Sequence, residues 1–197
     1  MMIEAWSEVA RFENAVANYA GSPYAVAVDT CTSALFLCCK YLGVKHVVLP
    51  SHTYLSVPSC IIQSGATISF DDYKWNGIYQ LIPYPIIDSA CRFKRNMYVD
   101  KTLYCLSFQY RKHLPIGRGG MILTDDQAAA NWLRCARFDG KSAINAEPKF
   151  IGWHCFMEPE RAARGMVLLS DINDDSPDLL FEYPDLSQYA IFKPNLP

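Results

Sequence analysis

The clearest indication of the fold is the segment Leu103-Tyr104-Cys105-Leu106-Ser107-Phe108-Gln109-Tyr110-Arg111-Lys112, with the glycine-rich stretch that follows it. Residues 103–108 are mostly apolar and predict a buried strand that runs into a polar loop. The loop carries Lys112 and ends at Gly117-Arg118-Gly119-Gly120, where a second apolar strand, Gly120–Thr124, begins. The pattern predicts two buried strands joined by a loop whose polar side chains lie where a strand ends.

Helical and strand patterns alternate before and after this segment. The spacing of apolar residues predicts helices over 4–19, about 30–43, 53–63, about 126–138 and near 158–169. Further strands are predicted at 24–28, 46–49, 66–70 and 85–87. This alternation predicts an α/β fold with a mostly parallel sheet sandwiched by helices. The stretch after Ser170 is rich in Asp and Pro without a clear period, and it predicts an extended tail or arm.

Composition excludes several classes of protein. The chain has 197 residues and a formal net charge of −2, which suits one domain, or one and a half, and does not indicate a nucleic-acid partner. No apolar run approaches the roughly 18 residues of a membrane span, and the first residues lack the pattern of a secretory signal. The eight cysteines lie mostly in apolar segments without metal-ligand spacing, so we expect buried thiols in the reducing cytoplasm and no metal site.

Four features lie at the ends of predicted strands, which is where open α/β sheets bind ligands. They are Thr30–Ser33, Asp88, Lys112 and Gly117–Gly120. Each also has an ordinary explanation: a helix N-cap, a turn-capping carboxylate, a surface lysine and a flexible turn. Taken singly, none of them predicts an activity.

Taken in order, the motifs resemble the DegT/DnrJ/EryC1/StrS sugar aminotransferases, pyridoxal-phosphate enzymes of the aspartate aminotransferase fold (fold type I). The strongest likeness is Ser107-Phe108-x-x-x-Lys112, followed after six residues by Gly119-Gly120-Met121-Ile122-Leu123-Thr124, which has the spacing of the family's S-F-x-x-x-K…G-G-x-[IV]-x-T. Shorter matches run along the chain, at Phe12-Glu13, Thr30–Leu35, Pro50–Tyr54, Gly65–Asp71, Asp88–Cys91 and Gly152–Met157.

The resemblance implies a role for each matching residue. Lys112 is expected to form the Schiff base with pyridoxal phosphate and to move a proton during transamination, and Asp88 to pair with the ring nitrogen. The remaining cofactor-binding residues are expected to hold the phosphate, to stack on the ring or to contact its phenolic oxygen: Thr32, Ser33, Tyr54, Cys91, Ser107 and, from a partner subunit, His154. The implied protein is a cytoplasmic homodimer with a shared active site, and it uses glutamate or glutamine as amino donor and a nucleotide-linked keto-sugar as acceptor.

The chain also departs from the family pattern. Cys91 stands where Gln or His is usual, and Arg118 replaces an acidic residue. We expect a pyridoxal-phosphate-binding large domain over 1–140, internally shortened between about 72 and 88, and a vestigial small domain or C-terminal arm over 141–197. Two alternatives stay open: a pyridoxal-phosphate enzyme with another substrate or reaction, such as sugar dehydration, and a non-catalytic degenerate homologue.

Overall fold

Every helix and strand predicted above is present in the structure, a computed structural model that describes residues 2–174 and 176–193. Met1, Asp175 and residues 194–197 lie outside the described residues, so the predicted C-terminal arm is described only in part. The helices are α1 (Met2–Ala20), α2 (Cys31–Leu42), α3 (Ser56–Gln63), α4 (Gln127–Ala136) and α5 (Pro159–Ser170). The strands are β1 (Tyr24–Val28), β2 (His46–Pro50), β3 (Thr67–Asp71), β4 (Tyr79–Gln80), β5 (Ile86–Ser89), β6 (Leu103–Ser107) and β7 (Gly120–Thr124).

Local sequence explains where the elements begin and end. Helix α2 starts after Thr30, whose hydroxyl accepts a hydrogen bond from the Ser33 N–H at 3.0 Å. It ends at Gly43, which adopts a left-handed conformation with φ of 59° and closes the helix with its own N–H. Helix α4 begins in the same way, because the Asp126 carboxylate accepts hydrogen bonds from the first turn. The two-residue strand β4 was not predicted, since it is too short to show a period.

The main sheet has the strand order β1-β7-β6-β5-β4. Strands β5 and β6 pair in parallel, whereas β1 with β7, β6 with β7 and β4 with β5 pair antiparallel. A separate parallel pair, β2 and β3, approaches this sheet through a bridge between Val48 and Ile82. The α/β class is confirmed, but the strand directions are mixed and the expectation of a mostly parallel sheet is corrected. The physical reason is the connection from β6 to β7, which contains no helix and folds back on itself, so that β7 returns antiparallel.

Helices cover the sheet on both faces, as predicted. Side chains that alternate along the strands enter two different hydrophobic clusters. Val26, Cys105 and Ile122 belong to the cluster with α2, α3 and α4, while their strand neighbours belong to the cluster with α1 and α5. No helix in the described parts of the chain is both long and apolar enough to cross a bilayer.

The residues beyond 140 pack onto the same body. Helix α5 lies along α1, and Gly165 of α5 sits against the ring of the buried Phe12, where any side chain would collide. After α5 the chain is mostly irregular, with two short 3-10 turns at Leu186–Gln188 and Ala190–Phe192. The division of the chain at residue 140 stays a prediction.

Candidate active site

The carboxyl ends of three strands meet at one edge of the main sheet. Strands β1, β5 and β6 run in the same direction, because each of β1 and β6 is antiparallel to β7 and β5 is parallel to β6. Asp88 lies near the end of β5, Ser107 ends β6, and Thr30 follows β1 at the start of α2. The edge therefore gathers the polar features that the sequence places after separate strands.

A cavity of about 200 Å³ opens at this edge. Its walls come from the start of α2, the loop before α3, the end of β5, the loop after β6 and the C-terminal segment. The lining residues are Thr30, Cys31, Thr32, Leu35, Thr53, Tyr54, Ser56, Val57, Trp75, Asp88, Ala90, Cys91, Ser107, Gln109, Arg111, Lys112, Arg118, Gly119, Phe181 and Tyr183.

Asp88 is a buried carboxylate held in place by two hydrogen bonds. Only 5% of the residue is exposed, and its Oδ2 accepts a hydrogen bond from the Tyr79 hydroxyl at 2.7 Å while its Oδ1 accepts one from the Ala90 N–H at 2.9 Å. Burial raises the pKa of Asp88, and these two hydrogen bonds and the charge of Lys112 oppose that effect. A cation placed beside this carboxylate would relieve the cost of burying its charge.

Lys112 extends over the cavity from the loop between β6 and β7. Its N–H donates to the Gln109 carbonyl at 2.8 Å, and the loop is anchored by the fully buried side chains of Leu114 and Ile116. The Lys112 Nζ lies 3.8 Å from the Cys91 Sγ and 4.4 Å from the centre of the Phe181 ring. The half-buried amine therefore faces the cavity.

Cys91 lies beneath this amine and is itself buried. Burial is the main reason why the pKa of the Cys91 thiol is raised, and the charge of Lys112 partly opposes it. A thiol with a raised pKa is mostly uncharged at neutral pH, so Cys91 contacts the amine as a neutral group.

The turn at the start of α2 is rich in hydroxyl groups. The Thr32 Oγ1 lies 2.7 Å from the Ser56 Oγ, and the Thr30 Oγ1 lies 2.8 Å from the Ser33 Oγ. The first N–H groups of a helix have no carbonyl partner within it, and the helix dipole makes this end positive. The turn can therefore accept an anionic group, with hydroxyls beside it as further donors.

A close backbone approach sets the position of this turn. A Cβ atom on Gly120 would lie only 2.5 Å from the Thr30 carbonyl oxygen and 2.6 Å from the Cys31 nitrogen. Strand β7 thus lies directly against the turn, which is possible because residue 120 has no side chain. This glycine is the first residue of β7 and the last of the glycine-rich stretch Gly117–Gly120.

Aromatic rings form another part of the cavity wall. Tyr54 is 57% exposed, and its ring centre lies 6.4 Å from that of Tyr183. Trp75 stacks on Tyr183 with ring centres 6.1 Å apart and an interplanar angle of 20°. These rings offer flat apolar faces to a bound molecule.

The structure brings together six of the eight site residues predicted from the sequence. Those that line the cavity are Thr32, Tyr54, Asp88, Cys91, Ser107 and Lys112. Among the described residues, Ser33 and His154 do not line it. The Ser33 hydroxyl contacts Thr30 instead, on the helix-start side of the turn.

His154 lies on a second cavity of about 310 Å³, which shares Arg118 with the first. Its Nδ1 is 3.1 Å from the Asp139 Oδ2, and its side chain is 68% exposed. Arg118 is held by Asp29 at 2.7 Å on the boundary between the two cavities. His154 therefore does not reach the first cavity of its own chain, and its predicted action across a subunit interface stays a prediction.

Sequence reasoning missed several residues of the site. Tyr79 holds Asp88 from the two-residue strand β4, and Thr53 lies 2.6 Å from the same Tyr79 hydroxyl. Phe181 and Tyr183 come from the irregular C-terminal segment. One signal was available for that pair: residues 180–184 alternate between apolar or aromatic and other side chains in a way that is compatible with an extended strand-like segment.

Comparisons with known proteins relate the chain to one family. Residues 2–80 and 99–175 match the sequence profile of the DegT/DnrJ/EryC1/StrS aminotransferase family. Asp88 and Cys91 lie between the two matched stretches, so their place in the site rests on the geometry described above. The spore coat polysaccharide biosynthesis protein SpsC of Bacillus subtilis (strain 168) is 27% identical over 198 aligned positions, which cover 77% of this chain and 51% of SpsC.

Solved structures share the fold at lower identity. DesV of S. venezuelae, determined in complex with a ketimine intermediate, superposes with a TM-score of 0.74 at 21% identity and covers 83% of this chain and 56% of its own. 3-Amino-5-hydroxybenzoic acid synthase superposes with a TM-score of 0.72 at 18% identity, over 84% of this chain and 56% of its own. NtdA of Bacillus subtilis, determined with bound cofactor PMP, superposes with a TM-score of 0.70 at 17% identity. The superposition covers 82% of this chain and 47% of NtdA.

This chain spans only about half the length of the relatives it matches. The two profile-matched stretches nevertheless cover most of the chain, including the Ser107–Lys112 loop and the glycine-rich stretch after it. The chain belongs to the DegT/DnrJ/EryC1/StrS aminotransferase family.

Proposed function

We propose that the chain binds pyridoxal phosphate and transfers an amino group from glutamate or glutamine to a nucleotide-linked keto-sugar. The observation that carries the proposal is the placement of a half-buried lysine, a buried carboxylate and a hydroxyl-rich helix start around one cavity. Family membership supports the same function, as do the ketimine intermediate in DesV and the bound cofactor PMP in NtdA.

The residues of the cavity fit this cofactor chemically. Asp88 is the one acidic residue among the described residues that line the cavity. Its buried carboxylate suits a protonated ring nitrogen, while the α2 turn suits a phosphate and the Lys112 amine suits a carbonyl carbon. The close fit of Gly120 beneath the turn keeps the N–H groups at the cavity wall.

Each residue then has a stated task. The cofactor, when bound, supplies an electron sink for bonds that break next to the amino nitrogen. Asp88, oriented by Tyr79, would keep the ring nitrogen protonated, and an ion pair at about 4 Å is worth on the order of 4 kcal/mol at an effective dielectric near 20 before desolvation. Lys112 would bind the cofactor covalently and, once displaced by the donor amine, carry a proton to or from the substrate carbon. Thr32 and Ser107 would donate to the phosphate, and Tyr54 would cover the ring.

Lys112 is favoured over its neighbour as the reactive residue. Lys112 lines the cavity, whereas His113 is not among the lining residues and its Nε2 lies 2.9 Å from the Pro177 carbonyl oxygen. Dehydration chemistry that uses a histidine in place of the lysine therefore has less support than transamination.

The proposal includes a cytoplasmic homodimer with a shared site. The exposed His154 lies on the second cavity, and in a dimer it would reach toward the phosphate turn of the partner subunit. Light scattering tests the dimer directly. A monomeric protein that nevertheless binds the cofactor normally would contradict the shared site.

Reconstitution with pyridoxal phosphate tests the proposal. We expect a visible absorption band and, after borohydride reduction, a cofactor-sized mass increase on the peptide that contains Lys112. Lys112→Ala should abolish both, whereas Lys149→Ala, which changes an exposed lysine, should leave both unchanged. Absence of the band in the parent protein would refute the proposal.

The donor reaction separates an aminotransferase from other uses of the cofactor. Glutamate or glutamine should bleach the band and release the corresponding keto acid, which can be measured chemically. A stable band that no amino donor bleaches would show that the chain binds the cofactor without transamination.

A further inference from the structure

Residues 177–189, which we call the strap, run along one side of the cavity and supply two of its lining residues, Phe181 and Tyr183. The strap is tied down along its length by hydrogen bonds to three parts of the site. The His113 Nε2 contacts the Pro177 carbonyl at 2.9 Å, the Leu179 N–H donates to the Cys91 carbonyl at 2.9 Å, and the Leu186 N–H donates to the Ser51 carbonyl at 2.9 Å.

Side chains reinforce these backbone ties. Asp178 accepts a hydrogen bond from the Arg92 Nε at 2.8 Å, and it lies 3.4 Å from the Lys94 Nζ. The hydrogen bond from Arg92, together with the positive charges of Arg92 and Lys94, holds the pKa of the Asp178 carboxyl below its usual range. At the other end of the strap the Leu186 side chain is completely buried. Both ends of the strap are therefore anchored to the domain.

Between its anchors the strap is extended and alternates its side chains. Leu180 is 81% exposed, and Glu182 and Pro184 also face solvent, whereas Phe181 and Tyr183 line the cavity. Successive residues of an extended chain point to opposite sides, so this backbone delivers two aromatic rings inward and keeps the residues between them outward.

The two inward rings lie against the groups at the reactive end of the cavity. The Phe181 ring centre is 4.4 Å from the Lys112 Nζ, and the Tyr183 hydroxyl is 3.8 Å from the Cys91 Sγ. Tyr183 also stacks on Trp75 at the rim. Any molecule that reaches Lys112 from this side has to fit beside both rings.

We propose that the strap is the substrate-side wall of the cavity, and that Phe181 and Tyr183 are specificity-determining residues that limit the size of the molecules reaching Lys112 and Cys91. The reference to a substrate rests on the proposed function, whereas the restriction of access depends only on the wall. Since one lost ring opens space comparable with a small substituent, we expect a discrimination of roughly tenfold or more between reagents of different size.

Thiol labelling of the apoprotein tests the wall without any cofactor. Cys91 lies directly behind Tyr183, and its alkylation by iodoacetamide can be compared with alkylation by the much bulkier fluorescein maleimide, using mass spectrometry of the Cys91 peptide. For each protein, the extent of labelling by fluorescein maleimide is divided by the extent of labelling by iodoacetamide, and this ratio is compared with that of a free model thiol. Because both reagents react with the thiolate, a change in the thiolate fraction of Cys91 does not alter the ratio. Phe181→Ala and Tyr183→Ala should each raise this ratio by roughly tenfold.

Two further variants distinguish the loss of an aromatic ring from a general destabilisation of the strap. Leu180→Ala truncates an exposed side chain of the same strap and should leave the ratio at the parent value. Tyr183→Phe keeps the ring without the hydroxyl and should also keep the parent ratio. The proposal is overturned if Phe181→Ala and Tyr183→Ala label with the same ratio as Leu180→Ala, or if Leu180→Ala raises the ratio as much as they do.

A second experiment measures access to Lys112 in the protein with bound pyridoxal phosphate. Hydroxylamine and O-benzylhydroxylamine should both discharge the visible band, the larger one much more slowly in the parent, and Phe181→Ala should narrow that difference. A missing band would refute the proposed function yet leave the Cys91 labelling result standing. A present band with unchanged size discrimination in Phe181→Ala and Tyr183→Ala would refute the wall alone. If either alanine variant fails to fold, Phe181→Leu replaces it, with an intermediate ratio expected and the parent ratio counting against the wall.

Discussion

The Tyr79 hydroxyl donates a hydrogen bond to the Asp88 Oδ2 at 2.7 Å, and the two residues face each other across the β4–β5 pairing. The same hydroxyl lies 2.6 Å from the Thr53 Oγ1. Burial is the main cause that raises the pKa of Asp88, and the Tyr79 hydrogen bond is the largest opposing cause. Tyr79 therefore orients this buried carboxylate and favours its ionised form more strongly than the other groups around it.

Tyr79→Phe should raise the pKa of Asp88 further, because the carboxylate loses a donor that stabilises its charged form. If Asp88 must be ionised to hold the cofactor, acidification should weaken the binding of pyridoxal phosphate in both proteins. The loss of affinity should begin at a higher pH in the variant than in the parent. Fluorescence titration of the cofactor across the acidic range measures this shift. Tyr84→Phe is the control, since the Tyr84 hydroxyl accepts from the Lys45 N–H at an exposed position. Coinciding pH profiles for Tyr79→Phe and the parent would contradict the role of Tyr79.

Asp88→Asn should make the apoprotein more stable at neutral pH while it weakens cofactor binding. The folded-state pKa of Asp88 is raised, so its stabilising contribution is complete below the ordinary carboxyl pKa and is lost as the pH rises through the folded-state value. At neutral pH the buried charge destabilises the folded apoprotein, and the amide removes that charge. In thermal melts, Asp88→Asn should have a higher melting temperature than the parent at neutral pH, and this difference should disappear at acidic pH.

The exposed Asp100 provides the comparison, and Asp100→Asn should leave the melting temperature unchanged at both pH values. A neutral-pH melting temperature of Asp88→Asn below that of the parent would show that the carboxylate stabilises the apoprotein, contrary to this expectation.

Gly120→Ala should displace the turn at the start of α2. The added methyl group would meet the backbone of Thr30 and Cys31, which cannot move without shifting the helix start. Overpacking of this kind costs about 1–3 kcal/mol, and we expect loss of cofactor affinity in addition. Gly119→Ala is the matched control, because its methyl group would meet only the flexible ends of Ile116 and Met157. Chemical denaturation and cofactor titration measure both effects. Equal losses in the two variants would mean that the Gly120 contact does not position the turn.

Glu13→Ala should cause a large loss of stability. Glu13 is 4% exposed and accepts hydrogen bonds from the Ala27 N–H at 2.8 Å and from the buried Arg137, so it links α1 to β1 and to the end of α4. Removing one partner of a buried ion pair leaves the other charge uncompensated, which costs about 3–5 kcal/mol.

Urea denaturation of Glu13→Ala and Glu8→Ala makes the comparison direct. Glu8 pairs with Arg11 at 2.8 Å on the surface of the same helix, and an exposed pair of this kind is worth about 0–1 kcal/mol. A Glu13 variant that is no less stable than the Glu8 variant would show that the buried ion pair does not stabilise the packing of α1 against β1 and the end of α4.

Much of the fold could be predicted from local patterns. The strands at Tyr24–Val28 and Gly120–Thr124 have the predicted bounds, because apolar runs flanked by turn residues are unambiguous at that length. The bounds of helix α2 also follow from local sequence, since Thr30 caps its start and Gly43 caps its end. The direction of β7 was not predictable in this way, because strand pairing depends on how the connecting loop folds rather than on the composition of the strand.

Helix caps, apolar periods and motif spacing are properties of neighbouring residues, so the α/β class, the family and the ordered set of polar residues at strand ends could be predicted from the amino-acid sequence. Three relationships depend on how the chain packs in three dimensions: Tyr79 orients Asp88, His154 faces a second cavity, and Phe181 and Tyr183 line the first one. Tyr79 and Asp88 meet through the pairing of β4 with β5, whereas Phe181 and Tyr183 reach Lys112 and Cys91 from an irregular segment far along the chain. Side chains held together only by packing leave no spacing in the sequence from which they could be recognised.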